Sequence, residues 1–181
     1  LVNKSTVVRA RTFQSNAWPS LISTHTYCVW SNAPARYTLP VVSIALPTND
    51  LFSYTTGIYV LGKVFSDYTN SHPGEYLTGH TPANYTQRGD AWERRAHFEY
   101  FEPGGGTGFA QNVLVDIQGQ SSRSFREKTL GIKARSEATP TDAIAYELWP
   151  GLKDRAGRPM ALFENLRLAN SGNDWNETML R

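Results

Sequence analysis

The sequence is poor in cysteine and in long apolar runs. Cys28 is the only cysteine among 181 residues, which excludes an intrachain disulfide framework and a thiolate metal cluster but leaves an extracellular location open. No apolar run approaches the roughly 20 residues that span a bilayer. The sequence therefore predicts no membrane partner.

The chain also lacks an excess of one charge sign and any recognisable catalytic or metal motif. Its formal net charge is only +2, with both signs interspersed, so no nucleic-acid partner is expected. No serine lies in a nucleophile-elbow pattern, and the histidines show no metal-ligand spacing. These are His25, His72, His80 and His97. Hydrolase and metalloenzyme functions have little support, and no metal site is predicted.

What the sequence does contain is typical of strands and turns, with 12% aromatic residues, 14 glycines and 10 prolines. TVVRARTF (6–13) and STHTYCVW (23–30) alternate as a strand hairpin does. A lone hairpin is marginally stable, so we expect its sheet partners upstream of Leu1. The proline-bearing linker SNAPARYTLP separates this hairpin from the rest.

Further along, three segments predict an antiparallel meander, namely 94–103, 112–120 and 127–135. GGGTG and GQSSRSF are the turns between them. Two apolar segments, PVVSIALP and GIYVLG, come earlier, and the polar stretch from there to Asn84 predicts a long surface loop. AIAYELWPGL is ambiguous between strand and helix, whereas MALFENLRLAN favours strand. Asp174 and Glu177 form a capping box that predicts a helix start near the last residue given.

Four blocks in this order resemble the N-terminal part of bacterial spore-coat-protein-H (CotH) kinase domains. They are GIYVLG, NYTQRGDAWERRAHFEYFEP, DIQGQSSRSFREKTLGIKAR and RLANSGNDWNETMLR. The upstream TVVRARTFQSNAWPSLISTHTYCVW resembles the last two strands of the immunoglobulin-like C-terminal module of chitobiase. The resemblance covers most of the chain, although no single block is as specific as a zinc-finger spacing.

The resemblance implies an α+β, mostly β fold: the antiparallel sheet of a kinase-like N-terminal lobe, preceded by a hairpin left over from a β-sandwich. Residues 1–32 would be the incomplete immunoglobulin-like module, and residues 33–181 the incomplete kinase-like domain. CotH proteins are atypical kinases that use ATP and magnesium to phosphorylate serines of secreted or spore-surface bacterial proteins. The implied partners are therefore a nucleotide and a secreted or surface protein, and the implied location is extracellular or at the cell surface.

In kinase-like domains the catalytic and metal-holding carboxylates come late in the chain. The resemblance places them beyond Arg181, so no catalytic residue is assigned among the 181. We therefore expect this fragment by itself to transfer no phosphate from ATP to a serine-rich acceptor.

The candidate phosphate site is the turn GQSSRSFREK. The resemblance favours a cradle in which the hydroxyls of Ser121, Ser122 and Ser124, with Arg123 and Lys128, meet the nucleotide phosphates. Lys128 shares its predicted strand face with apolar residues, where an ammonium is costly unless a carboxylate or phosphate meets it. The competing interpretation of the turn is an ordinary polar hairpin connection.

Other charged residues near this strand are secondary. Lys133 and Arg135 fall on the opposite face, which predicts a solvated strand surface, with Lys133 as a secondary phosphate-site candidate. Asp90 and Glu93 lie close in sequence to three arginines and predict a structural ion-pair network. Those arginines are Arg88, Arg94 and Arg95.

A function of another class stays open, in which the chain is a non-catalytic β-rich surface module. Exposed aromatics such as Trp18, Trp30 or Trp92 would then bind glycan or protein. Aromatic residues of β-rich chains are more often part of the core, which ranks this alternative second.

Overall fold

The computed structural model describes residues 3–29, 38–135 and 141–170. Strands dominate, with two short α-helices, and this confirms the predicted α+β, mostly β class. The strands are β1 Thr6–Ala10, β2 Ser23–Tyr27, β3 Val41–Ala45, β4 Arg94–Phe101, β5 Thr107–Gln118, β6 Thr129–Lys133, β7 Ile144–Ala145, β8 Leu162–Phe163 and β9 Asn165–Leu168. The α-helices are α1 Thr48–Phe52 and α2 Gly62–Ser71, and 3-10 turns cover Asn84–Thr86, Asp90–Trp92 and Ser121–Ser124. Neither α-helix of the described chain has the length and apolar character that crossing a bilayer requires.

The strands pair largely as the alternating patterns predict. β1 and β2 form the expected antiparallel hairpin, with Thr6 opposite Tyr27. Five strands are hydrogen-bonded in the order β3-β4-β5-β6-β9, and β7 pairs separately with β8. The three predicted meander strands are present as β4, β5 and β6, and the MALFENLRLAN segment supplies β8 and β9.

The described chain divides into two compact units. The first contains residues from 1–45 and 97–112, and the second contains residues from 46–96 and 113–181. β4 and β5 each contribute residues to both units. The predicted division into modules 1–32 and 33–181 concerns which protein family each part resembles, and it stays a prediction.

In the first unit, β4 is buried on both of its faces. Phe98 and Tyr100 lie on one face and stack against Phe109, with ring centroids 5.4 Å and 5.7 Å apart. Glu99 and Phe101 lie on the other face and are also buried. A carboxylate is thus enclosed within a largely aromatic strand.

In the second unit, β5 and β6 carry one apolar and one polar face. Val115 pairs with Ile132, and both are buried with less than 2% of their surface exposed. The neighbouring pair, Asp116 and Gly131, lies on the opposite face of the two strands. Because side chains alternate along a strand, the charged residues of β5 and β6 gather on that second face.

The segment predicted as a long surface loop contains α2, so this part of the prediction is wrong. The helix has no buried residue, and its apolar content is too low for an amphipathic pattern to be visible in the sequence. Its serine and threonine hydroxyls donate to carbonyls of the preceding turn, as Ser66 does to Gly62 and Thr69 to Phe65. An ion pair between Lys63 and Asp67, one turn apart, adds modest support.

The side chain of Asn84 organises the start of this helix. Its amide nitrogen donates to the carbonyl oxygens of Tyr54 and Gly57 at 3.0 and 3.1 Å, and its oxygen accepts from the Val64 backbone amide at 3.2 Å. Only 1% of Asn84 is exposed. Gly62 has a φ of +64°, and a Cβ there would overlap the Asn84 amide. GIYVLG therefore forms an irregular segment closed around a buried amide.

Three predictions fall wholly or largely outside the described residues. The capping box of Asp174 and Glu177 lies in 171–181, and Trp30 and most of the linker SNAPARYTLP lie in 30–37.

Candidate functional site

The turn between β5 and β6 brings the three predicted serines together. Gly119 has a φ of +107°, and the 3-10 turn Ser121–Ser124 follows it. A Cβ on Gly119 would overlap the Ser122 hydroxyl, so glycine is needed there for close approach as well as for its backbone angle. The Ser124 hydroxyl donates to the Ser121 carbonyl oxygen at 2.7 Å. Ser124 therefore closes the turn on itself.

Arg123 is buried beneath this turn, with 3% of its surface exposed. Its Nε donates to the Gly119 carbonyl oxygen at 2.8 Å, and its Nη1 donates to those of Tyr85 and Gln87 at 3.0 and 2.9 Å. Nη2 makes no hydrogen bond to any described residue. The guanidinium thus ties the turn to the 84–87 segment and is fixed in orientation by three carbonyl groups.

Lys128 immediately precedes β6 and is also buried. Its Nζ donates to the carbonyl oxygens of Arg123 and Phe125 at 2.6 and 2.7 Å. The same nitrogen lies 4.2 Å from the ring centroid of Tyr85 and 5.1 Å from that of Tyr59. Burial lowers the pKa of Lys128. Carbonyl oxygens and aromatic faces, rather than a carboxylate, compensate this cation.

Lys133 differs from the solvated side chain that the alternation predicts. Its Nζ lies 2.6 Å from Glu93 Oε1 and 2.8 Å from Asp116 Oδ2. The Lys133 side chain is 18% exposed, Glu93 5% and Asp116 17%. The lysine met by carboxylates is therefore Lys133, and the partners come from residues 40 and 17 positions away in the chain.

The pair extends into a network on the polar face of the second unit. Gln118 donates to both oxygens of Asp116, and Gly131 opposite leaves room for that carboxylate, which a Cβ would overlap. Burial works to lower the pKa of Lys133, but its hydrogen bonds to Asp116 and Glu93 outweigh burial and raise it. The network therefore favours the charged ammonium.

The predicted ion-pair network of the RGDAWERR segment forms with different partners. Arg135 lies 3.4 Å from Asp90 and 3.5 Å from Glu93. Arg94 instead donates to the carbonyl oxygens of Thr56, Ala91 and Glu93. Among the described residues, no salt bridge joins the two carboxylates to the arginines next to them in sequence. The carboxylates are thus directed towards the cations of β6 and the residues that follow it.

Beside the serine turn lies a cavity of about 370 Å³, here called the arginine pocket. Its lining residues are Gly79, His80, Thr86, Arg88, Gln120 and Arg123. Arg88 Nη2 donates to the Gly119 carbonyl oxygen at 2.9 Å, the same atom that accepts from Arg123 Nε. Burial, and next to it the charge of Arg88, lowers the pKa of Arg123. Two like charges therefore converge at one oxygen, and none of the described residues that line the cavity is a carboxylate.

Of the predicted phosphate-site residues, only Arg123 lines this pocket, whereas Lys128 has its donors directed at carbonyl groups. Four lining residues were not predicted from the sequence as site residues: His80, Thr86, Arg88 and Gln120. A signal for Arg88 was present, because it belongs to the NYTQRGD block of the resemblance. Its separation from Arg123 by 35 positions hid the pairing.

The described side chains contain no group of three or more carboxylate, histidine or cysteine ligands that could hold a metal ion. Asp116 and Glu93 are already neutralised by Lys133. Comparisons of the chain with protein-family models, with curated proteins and with solved structures find no match.

Proposed function

We propose that this chain is the nucleotide-engaging part of an atypical protein kinase of the CotH type, and that the phosphates of ATP bind at the arginine pocket. One observation carries the proposal. The guanidinium groups of Arg88 and Arg123 meet at the Gly119 carbonyl oxygen, beside a cavity whose described lining contains no carboxylate. Such a concentration of positive charge favours a multiply charged anion.

The two arginines suit a phosphate in different ways. Arg123 is buried and held by three carbonyl groups, so little side-chain entropy is lost when it binds an oxyanion. Arg88 is exposed and can adjust to the ligand. Gln120 adds an amide to the lining, which supplies a further donor to phosphate oxygens, whereas the Thr86 hydroxyl already donates to the Ala83 carbonyl oxygen.

The Lys133 network supports the same proposal. Protein kinases need an ion pair between a strand lysine and a glutamate before the phosphates are correctly held. Lys133 and Glu93 form such a lysine–glutamate ion pair, and Lys133 lies on β6, the first strand after the serine turn. We therefore assign the kinase-type lysine to Lys133 in preference to Lys128, whose Nζ is occupied by two carbonyl groups.

In this proposal ATP supplies the phosphoryl group, and the acceptor is a serine of a secreted or spore-surface bacterial protein. The location of the protein is extracellular or at the cell surface. These elements rest on the four sequence blocks that resemble CotH domains. Magnesium would be held chiefly by groups other than the described carboxylates.

The first test replaces Arg88 with alanine. We expect Arg88→Ala to weaken ATP binding about tenfold, the loss of one charge-assisted contact. Isothermal titration of ATP into the chain measures the change, and repeating it at higher salt should shrink the difference between variant and wild type. Arg88→Lys should fall between the two because it keeps the charge but not the fork of donors.

The matched control is Arg126→Ala, which removes an equally cationic but 94% exposed side chain near the same turn. Its affinity for ATP should equal that of the wild type. Melting curves of both variants show whether the turn has kept its structure. Equal ATP affinity of folded Arg88→Ala and wild type would rule out the arginine pocket as the phosphate site.

A second candidate function has one observation in its favour. Trp18 is 96% exposed, as expected of an aromatic platform in a non-catalytic module that binds glycan or protein. Trp92 is only half-exposed, and its ring centroid lies 5.6 Å from the guanidinium carbon of Arg94. If the chain bound no nucleotide and Trp18→Ala abolished binding to a glycan or protein, this alternative would replace the kinase proposal.

A further inference from the structure

A second cavity, of about 520 Å³, lies within the first unit, and here it is called the glutamate cavity. Its lining includes Tyr27, Cys28, Glu99, Phe101, Thr107 and Ala110. Its volume is in the range of small-molecule sites, and its walls are mostly apolar. One ionisable acid, Glu99, is enclosed with them.

Among the described residues, no lysine or arginine forms a salt bridge with the buried Glu99 carboxylate. Only 3% of its surface is exposed, and its Oε2 has no hydrogen-bond partner among the described residues. His25 Nδ1 lies 3.9 Å from Oε1, too far for a hydrogen bond, and its side chain is 65% exposed. The nearby Thr26 hydroxyl is paired with that of Ser43 at 2.8 Å.

An enclosed carboxylate is costly unless a cation or several donors meet it. Burial raises the pKa of the Cys28 thiol in the cavity wall, and the negative charge of Glu99 raises it further. The charge of Glu99 therefore acts on the wall of the cavity. No described group of three or more metal ligands exists here. The missing partner is therefore better matched by an organic cation than by a metal ion.

From this geometry we infer that the glutamate cavity binds a primary ammonium group carried on an apolar chain. The ammonium lies against the Glu99 carboxylate, and the chain lies against Tyr27, Phe101 and Ala110. The aromatic rings of Tyr27 and Phe101 add faces that attract a cation. A free alkylamine and the side chain of a lysine in a polypeptide share this chemistry.

The test uses n-pentylammonium and the peptide acetyl-Gly-Lys-Gly-amide as probes, titrated into the full chain at pH 7. Saturable binding of either probe is expected, and pentan-1-ol and the Nε-acetylated peptide, which lack the charge, should not bind. Binding of both probes identifies a lysine side chain as an acceptable ligand. Binding of n-pentylammonium alone restricts the site to free amines.

Glu99→Gln should weaken binding at least about tenfold, because it removes the charge while keeping the shape. Glu102→Gln, a carboxylate outside the lining three positions further along, should leave the affinity unchanged. Ala110→Phe places a bulky ring in the lining of the cavity and should also abolish binding, which keeps the test decisive if Glu99→Gln does not fold. The inference is overturned if no probe binds saturably, or if folded Glu99→Gln or Ala110→Phe binds as the wild type does.

Discussion

Replacing Asn84 with leucine is expected to destabilise the second unit by about 3–5 kcal/mol. The substitution keeps the side-chain volume nearly constant but leaves the Gly57 carbonyl and the Val64 amide without their partner. The Tyr54 carbonyl loses one of its two donors and keeps the Lys63 amide. Each unsatisfied buried polar group costs about 1–3 kcal/mol. Urea unfolding followed by circular dichroism measures the change.

Two further variants test whether the amide group of Asn84 is what stabilises the second unit. Asn84→Asp keeps an acceptor for Val64 but loses both donors and buries a charge, so it should be at least as damaging. Asn70→Leu, on the exposed surface of α2, should change stability by less than about 0.5 kcal/mol. A loss below about 1 kcal/mol for Asn84→Leu would contradict the anchoring role, because it is smaller than one unsatisfied group costs.

Lys133→Met should lower the free energy of unfolding by about 3–5 kcal/mol, as expected when one member of a buried ion pair is removed. Of the described cations, Glu93, 5% exposed, would keep only the more distant Arg135 at 3.5 Å. Lys63→Met is the matched control, since its ion pair with Asp67 is more than half exposed and should contribute less than about 0.5 kcal/mol. In a Glu93→Gln background, the Lys133→Met penalty should shrink. An unchanged penalty would show that packing, rather than charge, is what Lys133 contributes.

The contribution of Lys133 should also depend on pH. Its pKa is raised in the folded state, so the folded chain holds this proton more tightly than the unfolded chain. The stabilisation is then fully present below the unfolded pKa of about 10.4 and is lost as pH rises through the folded pKa. The difference in unfolding free energy between wild type and Lys133→Met should therefore become smaller as the pH rises above about 10.4. Lys128, whose pKa burial lowers, is present in both chains and cancels. A difference that stays constant up to pH 12 would contradict a stabilising role for the charge of Lys133.

The strands were predictable because alternation and turn residues are local signals. Val113, Val115 and Ile117 occupy every second position of β5, and Gly104 and Gly105, both with positive φ, mark the turn that precedes this strand. The helix α2 was not predictable in the same way. Its first turn is held by the distant Asn84 amide, and its surface consists largely of hydroxyl residues that bond back to the helix, so no periodic apolar pattern marks it in the sequence.

The site was predicted only as far as local sequence reaches. Alternation correctly separated Lys133 from the apolar face of β6, but it could not reveal that Glu93 lies against it, 40 positions away. In the same way the serine turn was visible, whereas the approach of Arg88 to Gly119 depends on how the chain folds back. Lys128 was singled out because its burial is costly, and carbonyl groups of its own turn, which no sequence pattern marks, offset that cost.

The burial of the Asn84 amide also bears on how the protein can be produced. Asn84, Tyr85 and Thr86 read as an acceptor for N-linked sugars, a modification made on the amide nitrogen in eukaryotic secretory compartments. That nitrogen is the atom that donates to Tyr54 and Gly57, inside a space that even a Cβ on Gly62 would overfill. An oligosaccharide attached there during synthesis would keep the segment from closing. Material secreted from yeast or insect cells should therefore be sugar-free at this position when folded and misfolded when glycosylated.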